Sequence, residues 1–196
     1  MTAAEISKIR AQVVADPSNA EMTERGWQPL FTAHPDARIA IVGQAPGRHA
    51  QASGIPWDDR SGRNLVDWLG VTLTQLRDPS LFSVLPMDFY FPGKGPSGDA
   101  APRRGFASRW HPPLLAAMPD VSLTLLVGAY AQAHYLRDAR KRTLTATVHD
   151  FREYLPTYFP LVHPSPLNFR WQARNEWFAT DVLPELRVLV AQVLGR

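Results

Sequence analysis

A chain of 196 residues, 45% hydrophobic and 20% charged, has the size and composition of a globular protein with a sizeable core, and a single domain over residues 1–196 is expected. It has no cysteine, which removes disulfides, thiolate zinc sites, cysteine-ligated iron–sulfur clusters and a cysteine nucleophile. The formal net charge is only +3, but 18 arginines stand against 3 lysines, and arginine suits bidentate contact with phosphate, a mild pointer to a nucleic-acid partner.

Residues 3 to 15 read as a helix with Ile6, Ile9, Val13 and Val14 on its apolar positions, ended at Asp16-Pro17. A loop is expected from Asn19 to Asp36. Arg38 to Val42 is an uninterrupted apolar run and reads as a strand buried on both faces, entering the glycine–proline loop GQAPG, Gly43 to Gly47. The connection SGIPWDDRSG follows, and Ser61 is expected to cap a helix that Gly70 ends. A second strand is predicted at Leu81 to Leu85, then an irregular aromatic, glycine- and proline-rich stretch to Gly105. Helical character is expected from Pro112 to Met118, a third strand at Ser122 to Val127, and its crossover helix at Ala129 to Leu136. A short helix at Phe151 to Tyr154, a fourth strand at Thr157 to Val162, and a final helix from Trp171 to Leu194 with a kink at Pro184 complete the chain. Four buried strands alternating with helices predict a three-layer α/β/α fold with a central four-stranded parallel sheet.

Two loops stand out, because in open α/β sheets ligands bind at the carboxyl ends of the strands. GQAPG offers backbone N–H groups close to a ligand, whereas GxGxxG and GxxxxGK[ST] are both absent. In HPSP, His163 to Pro166, two prolines stiffen the backbone around one histidine, as preorganised electrostatic catalysis requires. The histidines His34, His49, His111, His134 and His149 form no ligand spacing, so neither a metal nor another cofactor is expected. Trp57 reads either as a loop anchor beside solvated charge or as an aromatic shelf for a flat ring, with Asp58 and Asp59 beside it to polarise water or the sugar. Asp88 ends the second strand, where a carboxylate either accepts from a ligand N–H or caps its own loop.

The order GQAPG, an aromatic after Gly-x-Pro, an acidic strand end and HPSP resembles the uracil-DNA glycosylase superfamily over most of the chain. That resemblance implies a DNA glycosylase that flips a deaminated base, uracil foremost, out of DNA and hydrolyses its N-glycosidic bond in base excision repair. It implies that the backbone of Gly43, Gln44, Ala45, Pro46 and Gly47 lines the base pocket and holds the water, that Trp57 stacks on the base, that Met87 or Asp88 reads its edge, and that His163 stabilises charge on uracil O2. Ser165, Pro166, Leu167, Asn168, Phe169 and Arg170 then form the loop that fills the gap in the duplex. The chain departs from the best-known branch at Ala45, where a water-activating aspartate stands, and at Gly47, where a tyrosine blocks the thymine methyl. It departs from the iron–sulfur branch by having no cysteine. Alternatives are a damaged-nucleic-acid-binding module of the same fold and a nucleoside or nucleotide hydrolase. No stretch approaches the ~20 apolar residues of a membrane span, and a cytoplasmic monomer acting on damaged DNA, away from membranes, is expected.

Overall fold

The computed structural model of the protein describes residues 2–96 and 98–196. Its main sheet has the order β2-β1-β5-β6, from β1 (Ile39–Val42), β2 (Phe82–Val84), β5 (Leu123–Val127) and β6 (Tyr158–Leu161), with all neighbours parallel. Between β2 and β5 lies a two-stranded antiparallel hairpin, β3 (Lys94–Gly95) and β4 (Gly98–Asp99). The inner strands β1 and β5 and the edge strand β2 are buried at every position, which is why they are mostly apolar, with Ser83 and Thr124 as the polar exceptions.

Alternate residues of these strands feed two cores. Ile39, Ile41, Leu125 and Phe159 pack with Leu65 and Leu69 of α4 (Arg60–Leu69) and Leu186 and Val190 of α10 (Leu183–Val193). Val42 and Leu126 pack with Ile6, Ile9 and Val13 of α1 (Ala3–Ala15), Trp110 and Leu114 of α6 (Phe106–Ala116), and Ala131 of α7 (Ala129–Leu136). Helices therefore cover both faces of the four-stranded sheet, giving the three layers that the apolar runs predict. Among the described residues, no helix is long and apolar enough to cross a membrane.

Several local expectations are corrected. The loop expected after Asn19 contains α2 (Ala20–Glu24), and the irregular stretch after β2 contains the β3–β4 hairpin. Helix α6 begins at Phe106, not at Pro112. Pro112 and Pro113 lie inside it without N–H donors, and burial of Phe106, Trp110 and Leu114 holds the helix together. Helix α8 (Leu144–His149), capped by Thr143, was not expected. The long last helix is broken: α9 (Phe169–Arg174) stops at Asn175, whose Nδ2 donates to Trp171 O at 2.7 Å. A π-helical turn, Phe178–Val182, then leads into α10, and Pro184 sits in the first turn of α10, where a missing N–H costs nothing. Between β1 and β2 stand α3 (Arg48–Ser53), α4 and α5 (Leu73–Leu76).

Helix α4 is capped by Asp59 and not by Ser61: Asp59 Oδ1 accepts from Gly62 N at 2.9 Å, and Ser61 is buried in the first turn. A Cβ on Gly62 would lie 1.9 Å from the Trp57 carbonyl oxygen. The better helix propensity of alanine, worth up to about 1 kcal/mol, loses to that backbone clash. Gly62→Ala is expected to destabilise the fold by about 2–3 kcal/mol in urea denaturation and to displace Trp57.

Candidate active site

Because the four strands are parallel, the segments following β1, β2 and β6 meet at one edge. There, Leu85 N donates to Ile41 O (2.9 Å), Met87 N to Gly43 O (2.8 Å) and Asp88 N to Gln44 O (3.2 Å), fastening the GQAPG loop to the chain leaving β2. Among the described residues, nothing accepts from the backbone N–H groups of Gln44, Ala45 or Gly47. Those donors border a pocket of about 130 Å³ whose lining includes Gly43 to Gly47, Trp57, Asp59, Pro86, Asp99 and His163.

The HPSP loop is held from several sides. Asn168 Nδ2 donates to His163 O at 2.8 Å, and Asn64 Nδ2, from α4, donates to Pro164 O at 2.7 Å. Ser165 N donates to His163 Nδ1 at 3.2 Å, and Ser165 Oγ accepts from Leu167 N. An Nδ1 that accepts a backbone N–H leaves the proton of a neutral imidazole on Nε2. Burial pushes the His163 pKa below the ordinary histidine value, and the nearby Asp59 and Asp99 carboxylates pull the other way without reversing it. His163 is thus a neutral Nε2–H donor at pH 7.

Trp57 occupies a left-handed backbone conformation, φ 56°, and its ring lies 5.6 Å from that of His163 at 37°. A Cβ on Gly43 would stand 3.4 Å from Trp57 Cζ2, so the bare glycine lets the indole lie close against the loop. The second carboxylate oxygen of Asp59 makes no hydrogen bond to a described residue, and Asp59 lines the pocket.

The structure thus brings together Gly43, Gln44, Ala45, Pro46, Gly47, Trp57, Asp59 and His163. It does not bring in Asp58, Met87 or Asp88. Asp58 is drawn away by Arg77 Nη2 at 2.9 Å and His49 Nε2 at 3.4 Å. Met87 and Asp88 donate their backbone N–H groups to the GQAPG carbonyls, and Pro86 is the post-β2 residue that lines the pocket. The Asp88 side chain, 1% exposed, is paired with Arg103 at 2.7 Å. Gln44 also differs from expectation: its Nε2 donates to Ala100 O at 2.8 Å, so the side chain anchors the end of the β3–β4 hairpin. Of the residues expected to fill the gap in the duplex, Leu167 is 87% and Phe169 62% exposed, and Arg170 lies over the Phe169 ring.

Asp99 and Pro86 were missed. The only signal for Asp99 was the symmetry of KGPSGD, a lysine and an aspartate flanking a glycine–proline turn.

Pro86 is itself fixed from behind: buried His111 meets Pro86 O through Nε2 at 3.0 Å and Tyr135 Oη through Nδ1 at 2.7 Å. Burial lowers the His111 pKa from 6.5 to about 4, so in this window the unfolded chain binds the extra proton. Stability is therefore full above pH 6.5 and falls by roughly 3 kcal/mol as pH drops to about 4. Urea midpoints at the two ends of that window should differ less in His111→Gln than in the parent.

A protein-family model of the Uracil DNA glycosylase superfamily matches residues 31–187. The chain belongs to that superfamily. The match begins just before β1, ends within α10, and so includes both site loops and every strand of the main sheet. Superfamily membership carries a uracil-DNA glycosylase-like activity in general terms, with DNA as the partner. Among the described residues, no group of three or more His, Cys, Asp or Glu side chains is placed to hold a metal ion.

Proposed function

We propose that this superfamily member is a monofunctional DNA glycosylase that takes a deaminated base, uracil first among them, out of DNA and hydrolyses its N-glycosidic bond. The observation that carries this reading is one pocket lined by both the unpaired GQAPG amides and a neutral His163 whose Nε2 holds the proton. In the reaction the C1′–N bond breaks, the base leaves with the bonding electrons, and a water oxygen bonds to C1′. Charge grows on a base carbonyl oxygen, and His163 Nε2–H and the loop amides are donors suited to receive it. The free oxygen of Asp59 orients the water and takes its proton, a role that Ala45 cannot fill. Trp57 supplies a face against which the flat base stacks.

Removing a base from the duplex costs a few kcal/mol. The exposed Leu167 and Phe169 offset this by wedging into the vacated stack, with Ser165, Pro166 and Asn168 shaping the loop and Arg170 on the neighbouring phosphate. Ala45 also favours a second reading, a module that binds damaged DNA without cutting it.

A single-turnover assay with uracil, hypoxanthine and xanthine oligonucleotides tests the proposal. Release of free base, with binding that weakens steeply as salt rises, is expected. Tight, salt-sensitive binding with no base released from any of the three would leave the binding module.

A further inference from the structure

The β3–β4 hairpin delivers one carboxylate, Asp99, to the pocket lining and pairs it with the largely exposed Lys94. Lys94 and Asp99 are in register across it, and Lys94 Nζ lies 2.6 Å from Asp99 Oδ1. The hairpin is closed by Ala100 N donating to Gly93 O at 2.9 Å, and Gln44 Nε2 ties Ala100 O to the GQAPG loop at 2.8 Å. Asp99 lines the pocket, and its Oδ2 lies 3.9 Å from where a Cβ on Gly47 would stand. Gly47 and the Asp99 carboxylate are thus near neighbours at the pocket wall. Asp88, the other acidic candidate for this position, is sequestered by Arg103.

Resting on the glycosylase reading above, we propose that the Lys94–Asp99 pair reads the hydrogen-bonding edge of the flipped base and selects a ring N–H beside a carbonyl. A carboxylate only accepts and an ammonium only donates. With Lys94 on Oδ1, Oδ2 makes no hydrogen bond to a described residue and takes the ring N–H, and the ammonium beside Oδ1, outside the pocket lining, reaches in to the adjacent carbonyl oxygen. Together they offer the acceptor and donor of one carboxamide, split over two side chains. Uracil, hypoxanthine and xanthine all present that edge. Cytosine and adenine present an unprotonated ring nitrogen beside an amino group, and that lone pair faces Asp99 Oδ2 with no hydrogen between them, so the oxygen loses its donor. The pair thus accepts uracil and hypoxanthine and rejects their parents cytosine and adenine, whereas guanine and thymine share the accepted edge and are not excluded by it.

The test is binding of fluorescent oligonucleotides that carry 2′-fluoro-2′-deoxyuridine or 2′-fluoro-2′-deoxycytidine at one position, where the fluorine blocks cleavage. Anisotropy is read for the parent, Asp99→Ala, Asp99→Asn and Lys94→Met, with melting temperatures and uracil release measured on the same proteins. The parent is expected to prefer uracil over cytosine by about 10²-fold, and Asp99→Ala to lose most of that preference. Asp99→Asn keeps a side chain of the same shape but can turn its amide to meet cytosine. It should bind cytosine better than the parent does at an unchanged melting temperature, which a merely structural role would not produce. Lys94→Met should cost about tenfold or less, since its ammonium is largely solvated. No preference in the parent, or a preference unchanged in both Asp99 variants, overturns the proposal. An Asp99-dependent preference without base release would support it while removing the glycosylase reading. Uracil release unaltered in every variant would do the reverse.

Discussion

Replacing His163 with alanine is expected to slow base release by about 10²–10³-fold while leaving the affinity for damaged DNA nearly unchanged. The expectation follows from what the imidazole offers at each stage. Before cleavage, the base carbonyl is a neutral acceptor that water can satisfy. As the C1′–N bond breaks, the same oxygen takes on negative charge, and a fixed Nε2–H gains strength at that moment. Burial keeps the ring neutral, so the donor does not depend on a proton taken up from solution. His163→Gln, which retains a donor but not the Ser165 anchor at Nδ1, should fall between parent and alanine. Single-turnover rates with saturating enzyme separate the chemical step from binding. Equal losses in affinity and rate would instead mark His163 as a structural prop of the HPSP loop.

The second large effect concerns stability. Arg103→Ala should destabilise the fold by about 3–5 kcal/mol, because it strands a buried carboxylate. Asp88 is 1% exposed and takes Arg103 Nε on Oδ2 at 2.7 Å and Nη2 on Oδ1 at 2.8 Å, a two-pronged contact. Arg103 Nη1 continues to Asn19 Oδ1 at 2.7 Å and to Ser18 O at 2.9 Å, joining the segment after α1 to the segment after β2. Adding Asp88→Asn to Arg103→Ala removes the stranded charge and should restore part of the loss. By contrast, removing the exposed pair Arg25–Glu21, whose side chains are 52% and 68% exposed, should move the urea midpoint hardly at all. Since Asp88 N also holds Gln44 O, the Arg103 variant should bind DNA less well in proportion to its loss of fold.

The sheet was legible because its strands are short, mostly apolar runs, unbroken in β1, as burial on both faces requires. GQAPG and HPSP were legible because glycine and proline mark strand ends, and the family match includes both. Other features depended on contacts that sequence distance hides. Asp99 reaches the pocket through a hairpin anchored by Gln44, 56 residues earlier than Ala100. In DDRS, both Asp59 and Ser61 can cap a helix, and the left-handed turn at Trp57 decides for Asp59. Asp58, one residue away, points at Arg77 instead. The start of α6 was masked by Pro112-Pro113, which local propensity reads as a beginning and core burial converts to an interior.

The most direct test of the central claim is a crystal structure of the chain with an oligonucleotide carrying 2′-fluoro-2′-deoxyuridine. The account predicts the uracil outside the duplex, in the pocket lined by Gly43 to Gly47 and Trp57, with one carbonyl oxygen about 3 Å from His163 Nε2. A complex in which the uracil stays stacked in the duplex, or lies in another hollow with His163 facing away from it, would contradict the account.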